Sequence, residues 1–277
     1  MTTAYFEAVS TSPGMNDLKG NTCSLLNFAL VILETGQSHR FLTADREYAI
    51  VVLTGTVDIA VGDGDFKAVG GRTNVLAGKP SMVYAPAQTE VTVTATQAAE
   101  VSLCSAPSTT TTIEPYLVGP DEATSGTWGT FNTTRDYNFL IDDQPASERL
   151  YVAEVTVESG NWATYLPHRH EIDDPGTGEA FQEEMYFYRV APSSGFGFAG
   201  LYGDRVGGDN AFIVRHNTIH KMPAGYHTVV AAPGYRTWYL ALFAGGNKSR
   251  GPLTDPEHAW YHHVETALRT LQRSHHD

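Results

Sequence analysis

Short runs of β-forming residues recur along this chain, and turn-forming residues separate them. Glycines, prolines and an Asp-Gly pair stand between runs that are rich in Val, Thr and Tyr. These runs include Leu25–Glu34, Tyr48–Thr54, Val57–Val61, Ser81–Ala85, Glu90–Ala95, Tyr151–Val157, Ala211–Arg215, Val229–Ala232 and Thr237–Phe243. Short strands at this spacing are typical of antiparallel sandwiches and barrels. The sequence therefore predicts an all-β protein with two strand-rich regions, near residues 22–104 and 150–245.

One helix is predicted, near the end of the chain. Asp255 has the residue type of an N-cap, and Pro256 suits the first helical position. Apolar residues then follow at helical spacing, at Trp260, Val264, Ala267 and Leu271. The pattern predicts a closing helix over residues 255–273.

The overall composition favours a globular protein and disfavours polyanionic partners. Hydrophobic residues make up 42% of the 277 residues, charged residues make up 18%, and the formal net charge is −13. Such a negative charge argues against binding to nucleic acid or to an anionic membrane. The N-terminal residues resemble no signal peptide, and the apolar run Phe28–Leu33 is too short to span a bilayer. We expect a cytoplasmic protein in which Cys23 and Cys104 are buried free thiols.

Four residues in the second half have the pattern of a metal site. His168 and His170 are two apart in an extended segment, so their side chains point to the same side of a strand. A carboxylate on the next strand and His227, after the turn Pro223-Ala-Gly-Tyr, complete a set of three imidazoles and one carboxylate. Without a thiolate, this set suits one divalent transition metal: Zn, Mn, Fe, Ni or Co. The order H-x-H, E, P-x-G-x-H resembles the metal motif of the cupin barrels.

The carboxylate ligand is Glu184 or its neighbour Glu183. Glu184 shares a strand face with Tyr186 and Tyr188, whereas Glu183 shares the other face with Met185 and Phe187. Because tyrosines suit the wall of a metal site better than Met and Phe do, we choose Glu184 and keep Glu183 in reserve.

The first half resembles the second but lacks most of the metal residues. Glu47 begins a run that matches the one after the ligand carboxylate, and His39 matches the first histidine of the pair. Phe41 and Val91 stand where the other two histidines would be needed. One His and one Glu are too few to hold a divalent metal firmly, so the first half is predicted to be a structural barrel.

Several segments resemble the 5-deoxy-glucuronate isomerase family of myo-inositol catabolism, over roughly the whole chain. They are L-P-H-R-H-E-I-D-D from Leu166, E-E-M-Y-F-Y-R from Glu183, G-F-G-F, V-R-H-N, P-A-G-Y-H, A-A-P-G-Y, D-R-E-Y-A-I-V-V-L-T-G from Asp45, and C-S-A-P from Cys104. The resemblance implies a bicupin of two antiparallel jelly-roll barrels with one metal site. Its parts would be an N-terminal barrel (1–112), a packed linker (113–149), and a metal-binding barrel with the terminal helix (150–277).

The implied reaction is the aldose–ketose isomerisation of 5-deoxy-D-glucuronate to 5-dehydro-2-deoxy-D-gluconate. A divalent metal would polarise the carbonyl and the adjacent hydroxyl, and a general base would move the proton. Besides a metal-bound hydroxide, the candidates for this catalytic role are Tyr186, Tyr188 and Asp174, the last of these on a polar insertion between the His pair and Glu184.

The carboxylate of a sugar-acid substrate requires a guanidinium partner. Arg135, Arg215 and Arg189 are the candidates, and Arg189 is the weakest because it faces away from Glu184. The linker of that family usually carries the motif R-G-x-G-N-x-x-R. The matching segment here is Ser125–Arg135, which keeps the final arginine as Arg135. It lacks the first arginine of the motif and its compact turn.

Three other functions fit part of the pattern, and a homo-oligomer stays open. An iron-dependent cupin dioxygenase would use the same four ligands with an apolar substrate pocket. Loss of the metal ligands would favour a non-enzymatic cupin. The second half keeps these ligands, so the pattern does not favour this function. The uronate ketol-isomerase of pectin breakdown is also a metal cupin isomerase, and it differs in its deoxy-uronate substrate.

Overall fold

A computed structural model describes residues 4–143, 146–246 and 250–274. These residues form twenty-two strands, two 3₁₀ turns (Phe131–Thr133 and Asp204–Val206) and the helix α1 (Tyr261–Ser274). All strand pairings are antiparallel, which confirms the predicted all-β class with a C-terminal helix. Both cysteines are buried and free, as predicted. No helix in the described parts of the chain is long and apolar enough to cross a membrane.

The first half of the chain forms two facing sheets. The six-stranded sheet has the order β11 (Tyr116–Val118), β8 (Ser81–Ala85), β5 (Arg46–Thr54), β10 (Ala99–Pro107), β3 (Asn27–Leu33) and β2 (Gly14–Asp17). The four-stranded sheet has the order β4 (Ser38–Leu42), β9 (Glu90–Ala95), β6 (Thr56–Val61) and β7 (Gly64–Gly70). A core of aliphatic side chains that includes Ile50, Val52, Ile59 and Val83 fills the space between them.

The second half repeats this arrangement. The seven-stranded sheet has the order β1 (Phe6–Ala8), β19 (Thr218–Met222), β16 (Gln182–Ala191), β21 (Arg236–Gly245), β14 (Leu150–Val157), β13 (Arg135–Ile141) and β12 (Thr124–Trp128). The five-stranded sheet has the order β18 (Asn210–Val214), β17 (Gly197–Tyr202), β20 (Tyr226–Ala231), β15 (Trp162–Arg169) and β22 (Leu253–Thr254). Its core contains more aromatic rings, among them Tyr186, Tyr188, Phe212 and Tyr239.

The larger sheets of the two halves pack on each other through a third apolar core. Ala49 and Val51 of β5 and Met185 and Phe187 of β16 belong to it. The N-terminal strand β1 crosses to the second half and pairs with β19, with Phe6 opposite His220. Strands β12 and β13, from the segment between the halves, extend the seven-stranded sheet beside β14.

Two buried carboxylates join the halves in a reciprocal way. Glu47 of β5 accepts hydrogen bonds from the backbone N–H groups of residues 148–150, at 2.7 to 2.8 Å, and from the Tyr84 hydroxyl at 2.7 Å. Glu183 of β16 accepts bonds from the N–H groups of residues 24–26, at 2.7 to 3.2 Å, and from the Ser24 hydroxyl at 2.8 Å. Each carboxylate therefore fixes the segment that leads into the other half.

A buried ion pair crosses the same interface. Arg72 of the first half donates to both carboxylate oxygens of Glu154 on β14, at 2.8 and 2.5 Å. The indole N–H of Trp238 donates to the same carboxylate at 3.1 Å. Because both charged groups are buried and hydrogen-bonded, removing one partner would leave an uncompensated charge in the core.

The predicted helix exists, but its start was wrong. Helix α1 begins at Tyr261, and residues 256–260 form turns. Asp255 does not cap α1 because the helix begins six residues later. Its Oδ1 accepts the Glu257 N–H at 3.0 Å, at the start of the turns, and its Oδ2 accepts the Tyr202 hydroxyl at 2.5 Å. Its backbone N–H donates to the Pro167 carbonyl at 2.9 Å, which holds this segment against β15 and β17. The N-cap residue type at Asp255 is thus used for tertiary anchoring.

Replacing Glu47 with Ala should destabilise the whole chain without affecting metal binding. The change leaves the buried N–H groups of residues 148–150 and the Tyr84 hydroxyl without their acceptor. We expect the free energy of unfolding to fall by about 3 kcal/mol or more, measured by urea denaturation. Glu90→Ala, at an exposed strand position, is the control and should change it by less than ~0.5 kcal/mol. An unchanged unfolding midpoint for Glu47→Ala would contradict this role.

Candidate metal centre and substrate cavity

Four side chains from neighbouring strands of the second half converge on one point. They are His168 on β15, His170 just after it, Glu184 on β16 and His227 on β20. One potential ligand atom of each residue lies within 4.8 Å of the corresponding atoms of the others. Glu184 Oε2 is 3.0 Å from His170 Nε2 and 2.8 Å from His227 Nε2.

Local irregularities of the backbone bring the histidines together. His168 pairs directly with His227, but Ala163 pairs with Val229, so β15 contains three more residues than β20 between these pairs. Bulges of this kind redirect side chains and are frequent beside active sites. On the other strand, Gly225 has a φ of +88°, and a Cβ there would lie 2.9 Å from the Tyr202 carbonyl oxygen. The turn that presents His227 therefore requires glycine.

Backbone carbonyls fix the orientation of all three imidazoles. Nδ1 lies 3.1 Å from the Leu166 oxygen in His168, 2.6 Å from the Gln182 oxygen in His170 and 3.2 Å from the Gly225 oxygen in His227. A carbonyl oxygen only accepts, so each Nδ1 is the donor and carries the hydrogen. In the neutral ring, Nε2 then presents a lone pair toward Glu184, the orientation found in metal-ligating histidines.

The carboxylate and the imidazoles of the cluster shift each other's pKa values. Burial acts to raise the pKa of Glu184, but His227 and His170 outweigh it and hold that pKa well below its usual range. Burial acts to lower the pKa of His170, but the hydrogen bond and charge of Glu184 outweigh it and raise that pKa. Burial, reinforced by the other two imidazoles, lowers the pKa of His168 to about 3.

The polar atoms at the centre also lack ordinary partners. Within the described residues, Glu184 Oε1 and His227 Nε2 are buried without a hydrogen bond of acceptable geometry. Buried polar atoms are seldom left unpaired in native proteins. Three imidazole nitrogens and a carboxylate, with no thiolate among them, match the ligand preferences of divalent transition metals. The donor set and its unpaired atoms therefore fit a metal ion.

The structure distinguishes the two neighbouring glutamates. Glu184 lies in the cluster, whereas Glu183 points to the opposite face of β16 and binds the backbone of residues 24–26. Glu47 occupies the position of Glu183, not of Glu184, since both lie on the interface face of their strands and bind a chain segment. The expectation that Glu47 is a remnant of the ligand carboxylate is therefore off by one residue.

Tyr48 is the residue of the first half that corresponds to Glu184. It pairs with Ala85 of β8 as Glu184 pairs with Met222 of β19. The Tyr48 ring lies 5.0 Å from the ring of Phe41, and Phe41 pairs with Val91. Aromatic and aliphatic side chains thus stand where the second half has its cluster.

A cavity of about 340 Å³ opens beside the cluster. His168 and His170 border it, and its other walls combine aromatic, polar and charged side chains. Those used below are Trp128, Arg135, Thr164, Gln182, Tyr186, Tyr239, Arg250, Glu265 and Arg269. The volume is in the range of small-molecule sites.

Arg135 is the predicted guanidinium that the structure places in the cavity wall. It donates to the Thr133 carbonyl at 3.0 Å, and its guanidinium lies 5.5 Å from the centre of the Trp128 ring. Burial lowers its pKa, which reflects a cation taken out of water. No ion pair with a carboxylate is found for Arg135 within the described chain. A half-buried guanidinium that borders a cavity is suited to binding an anionic group.

The other two predicted arginines lie outside the cavity. Arg189 forms an ion pair with Glu100 of the first half at 2.8 Å and approaches His216 Nε2 at 3.1 Å. Arg189 follows Glu184 by an odd number of residues, so its side chain lies on the opposite face of β16, toward the interface of the two halves. Arg215 is exposed in the turn after β18. The expectation that Arg189 and Arg215 bind the substrate carboxylate is corrected accordingly.

Of the three catalytic candidates, Tyr186 alone borders the cavity. Its hydroxyl lies 3.1 Å from the Thr164 hydroxyl, and its ring centre lies 4.3 Å from that of Tyr239. Tyr188 is fully buried deeper in the core, away from the cavity wall. The Asp174 carboxylate accepts hydrogen bonds within its own loop, from the Gly176 N–H at 2.9 Å and from the Thr177 hydroxyl at 3.0 Å. Neither Tyr188 nor Asp174 is placed to act as the base.

The sequence patterns missed several cavity residues. Gln182 is buried, and its Nε2 has no partner in the described structure. It lies two residues before Glu184, so the same alternation that selected Glu184 could have found it. Tyr239 and Thr164 come from other strands, and Glu265 and Arg269 come from α1. No local motif marks these residues because the sheet order brings them together.

Comparison with known proteins identifies the family of this chain and agrees with its architecture. The KduI/IolB family profile matches residues 14–261. The 5-deoxy-glucuronate isomerase of Bacillus licheniformis is 32% identical over 238 residues, which are 86% of this chain and 88% of that protein. The 5-deoxy-glucuronate isomerase of Geobacillus kaustophilus is 33% identical over 250 residues, 90% of this chain and 89% of that one.

Solved structures show the same fold. The crystal structure of an IolB-like protein from Salmonella typhimurium LT2 superposes with a TM-score of 0.85 at 25% identity, covering 92% of this chain and 98% of that one. A mutant of Bacillus subtilis oxalate decarboxylase superposes with a TM-score of 0.62 at 13% identity, over 95% of this chain and 84% of that one. The second likeness shows a shared fold alone, whereas the profile match spans most of the sequence. The chain belongs to the KduI/IolB family.

Proposed function

We propose that this chain is an intramolecular oxidoreductase that converts 5-deoxy-D-glucuronate to 5-dehydro-2-deoxy-D-gluconate in myo-inositol catabolism. The observation that carries the proposal is a cavity bordered by His168 and His170 of the four-residue cluster and by Arg135, which has no carboxylate partner among the described residues. The relatives named 5-deoxy-glucuronate isomerase, at 31 to 34% identity, support the same reaction. In this proposal the two pairs of sheets are the barrels of a bicupin (1–112 and 150–277), joined by residues 113–149.

His168, His170, Glu184 and His227 would hold one divalent transition metal ion. Zn, Mn, Fe, Ni and Co all accept this nitrogen and oxygen donor set. When bound, the ion supplies Lewis-acid polarisation of a carbonyl oxygen and of the hydroxyl next to it. The carbonyl oxygens that fix Nδ1 of each histidine keep the three Nε2 atoms in place for it.

In this proposal, different parts of the cavity bind the aldehyde end and the carboxylate end of the sugar acid. The reacting aldehyde and hydroxyl carbons are at one end of the six-carbon chain, and the carboxylate is at the other. With the reacting end beside His168 and His170, the carboxylate is directed to Arg135, which offers several N–H donors in a plane. Gln182, whose amide nitrogen is unpaired in the described structure, is available to donate to a hydroxyl of the substrate.

Tyr186 is the proposed proton-handling group. Burial, and then the charge of Glu184, raise its pKa well above the usual range, so the phenol stays neutral at pH 7. A neutral phenol donates its hydrogen to an oxygen of the substrate and accepts one from the neighbouring Thr164 hydroxyl, 3.1 Å away. In an aldose–ketose isomerisation the carbonyl oxygen becomes a hydroxyl, and the neighbouring hydroxyl becomes a carbonyl. The role of Tyr186 fits the transfer of a proton between these two oxygens.

The cavity disfavours the alternative functions. An iron-dependent dioxygenase with an apolar substrate would leave the half-buried Arg135 guanidinium beside an uncharged ligand, which is unfavourable. A non-enzymatic role gives no reason for the unpaired polar atoms of Glu184, His227 and Gln182, which lie at or beside the cluster in the described structure. A uronate ketol-isomerase of pectin breakdown shares the chemistry, and comparing the turnover of the two deoxy-uronates separates it from the proposed reaction.

Replacing His227 with Ala should remove the metal and the activity while the fold remains. The change deletes one of the four proposed ligands, so we expect loss of most bound metal and a fall in turnover of more than about 100-fold. Metal content would be measured by elemental analysis and turnover with 5-deoxy-D-glucuronate. His258→Ala, at a half-exposed position outside the cluster, is the control. Full occupancy and unchanged turnover in His227→Ala would refute the four-ligand site.

Replacing Arg135 with Gln should weaken substrate binding more than it slows the chemical step. Because the carboxylate is remote from the reacting carbons, its contact with Arg135 is made in the ground state and the transition state alike. We expect KM to rise roughly 30-fold and kcat to change by less than about threefold. Arg215→Gln, which removes an exposed arginine, should leave both constants unchanged. Equal effects of the two substitutions would contradict the placement.

Replacing Tyr186 with Phe should lower kcat by about 100-fold without loss of metal, because the ring remains and only the proton-handling hydroxyl is removed. Tyr188→Phe removes a hydroxyl from the same strand face outside the cavity, and we expect normal turnover. Steady-state kinetics and metal analysis of both variants make the comparison. Normal kcat in Tyr186→Phe would exclude the phenol from the reaction.

A further inference from the structure

Helix α1 lies beside the cavity and turns a face of mixed character inward. Tyr261, Glu265 and Leu268 are half-buried, whereas Val264 is 36% and Leu271 is 55% exposed. An amphipathic surface helix normally buries its apolar stripe and exposes its charges. Because α1 buries only part of its apolar surface, apolar packing alone does not explain why Glu265 and Arg269 lie at the cavity.

The inward face brings two opposite charges to the cavity wall. Glu265 and Arg269 both border the cavity, and Arg269 donates to Glu265 Oε1 at 2.9 Å. The Tyr261 ring meets the Tyr165 ring edge-on, with centres 5.1 Å apart, at the start of the helix. Tyr165 also borders the cavity. The helix is thus attached beside the cavity and carries an ion pair across its wall.

The three arginines that border the cavity differ in their partners. Arg250 forms an ion pair with Asp142, and its guanidinium also lies 4.9 Å from the centre of the Tyr151 ring. Arg269 has the partner Glu265, on its own helix. Arg135 has no carboxylate partner in the described structure, and the charges of Glu265 and Arg269 are near enough to affect its pKa, although burial has the larger effect.

We propose that Arg269 binds the carboxylate of the sugar acid together with Arg135, and that Glu265 competes with this carboxylate for Arg269. This assignment rests on the proposed function and makes the charged face of α1 a determinant of specificity for anionic sugars. Without substrate, Arg269 is held over the cavity by Glu265. When the sugar acid enters, its carboxylate takes the place of the Glu265 carboxylate.

The physical basis is the weak hold of Glu265 on Arg269. The Arg269 side chain is 53% exposed and that of Glu265 is 24% exposed. Helix pairs at this spacing contribute little to stability when they are exposed. A substrate carboxylate between two guanidinium groups is less solvated and is attracted by two cations, so it displaces Glu265 at modest cost.

The test is whether substitutions of Arg269 and Glu265 change KM in opposite directions. In the metal-loaded enzyme, Arg269→Gln should raise KM for 5-deoxy-D-glucuronate roughly tenfold, because a cation is lost. Glu265→Gln should lower KM about twofold to threefold, because the competitor is lost. Arg269→Lys keeps the charge and should retain most of the affinity. We expect kcat to stay within about twofold in all three variants.

A matched ion pair elsewhere provides the control. Arg236 and Glu158 pair at 2.7 Å, and their side chains are 46% and 50% exposed. Arg236→Gln and Glu158→Gln remove the same charges outside the cavity and should leave KM unchanged. If the Arg269–Glu265 pair had only a structural role, Arg269→Gln and Glu265→Gln would break the same interaction and change KM in the same way. Shifts of KM in the same direction in Arg269→Gln and Glu265→Gln, or no shift in either, would overturn the proposal.

Binding of D-gluconate, measured by calorimetry, separates this inference from the proposed reaction. D-Gluconate presents a carboxylate but no aldehyde, so its affinity can respond to the loss of Arg269 or Glu265 without any turnover. Weaker binding in Arg269→Gln and tighter binding in Glu265→Gln support the role of α1 even if 5-deoxy-D-glucuronate is not turned over. Turnover by the wild-type enzyme with equal D-gluconate affinities in both variants overturns the role of α1 and leaves the isomerase assignment standing.

Discussion

The alternation of side chains along β16 is the constraint on which the rest of the structure depends. Gln182 and Tyr186 border the cavity and Glu184 lies in the His cluster beside it, while Glu183 and Phe187 face the other half of the chain. A shift of one residue in register would exchange these faces. A shift in one direction would put Met185 in place of Glu184 in the cluster. A shift in the other direction would put Gln182 in place of Glu183, which fixes residues 24–26. Chemistry and assembly of the halves are therefore specified by the same strand.

Much of this could be predicted from the sequence because the relevant patterns are local. The period of two in a strand separates Glu184 from Glu183, and the i, i+2 spacing places His168 and His170 on one side. Short strands bounded by turn residues identify the all-β class. His227 was the one long-range assignment, and it depended on a recognisable Pro-Gly turn before it.

The remaining assignments depended on sheet order, which no local pattern encodes. Arg135 and Arg215 flank different motifs, and only the pairing of β13 with β14 brings Arg135 to the cavity. The predicted helix start was wrong because Asp255 accepts the Glu257 N–H at the start of a run of turns, and the helix begins only after them, at Tyr261. The apolar spacing of α1 predicted a helix correctly, but the direction in which its charged face points is set by tertiary packing.

The reciprocal carboxylates of Glu47 and Glu183 bear on how such a chain could have evolved. If the two halves arose by duplication of one ancestral unit, mutations that removed the metal ligands from the first copy would have been tolerated while the second copy remained intact. The first copy could not then be deleted, because the backbone of residues 148–150 depends on Glu47 and the pairing of β19 depends on β1. A duplicate that has lost its chemistry is thus retained as a structural requirement of its twin.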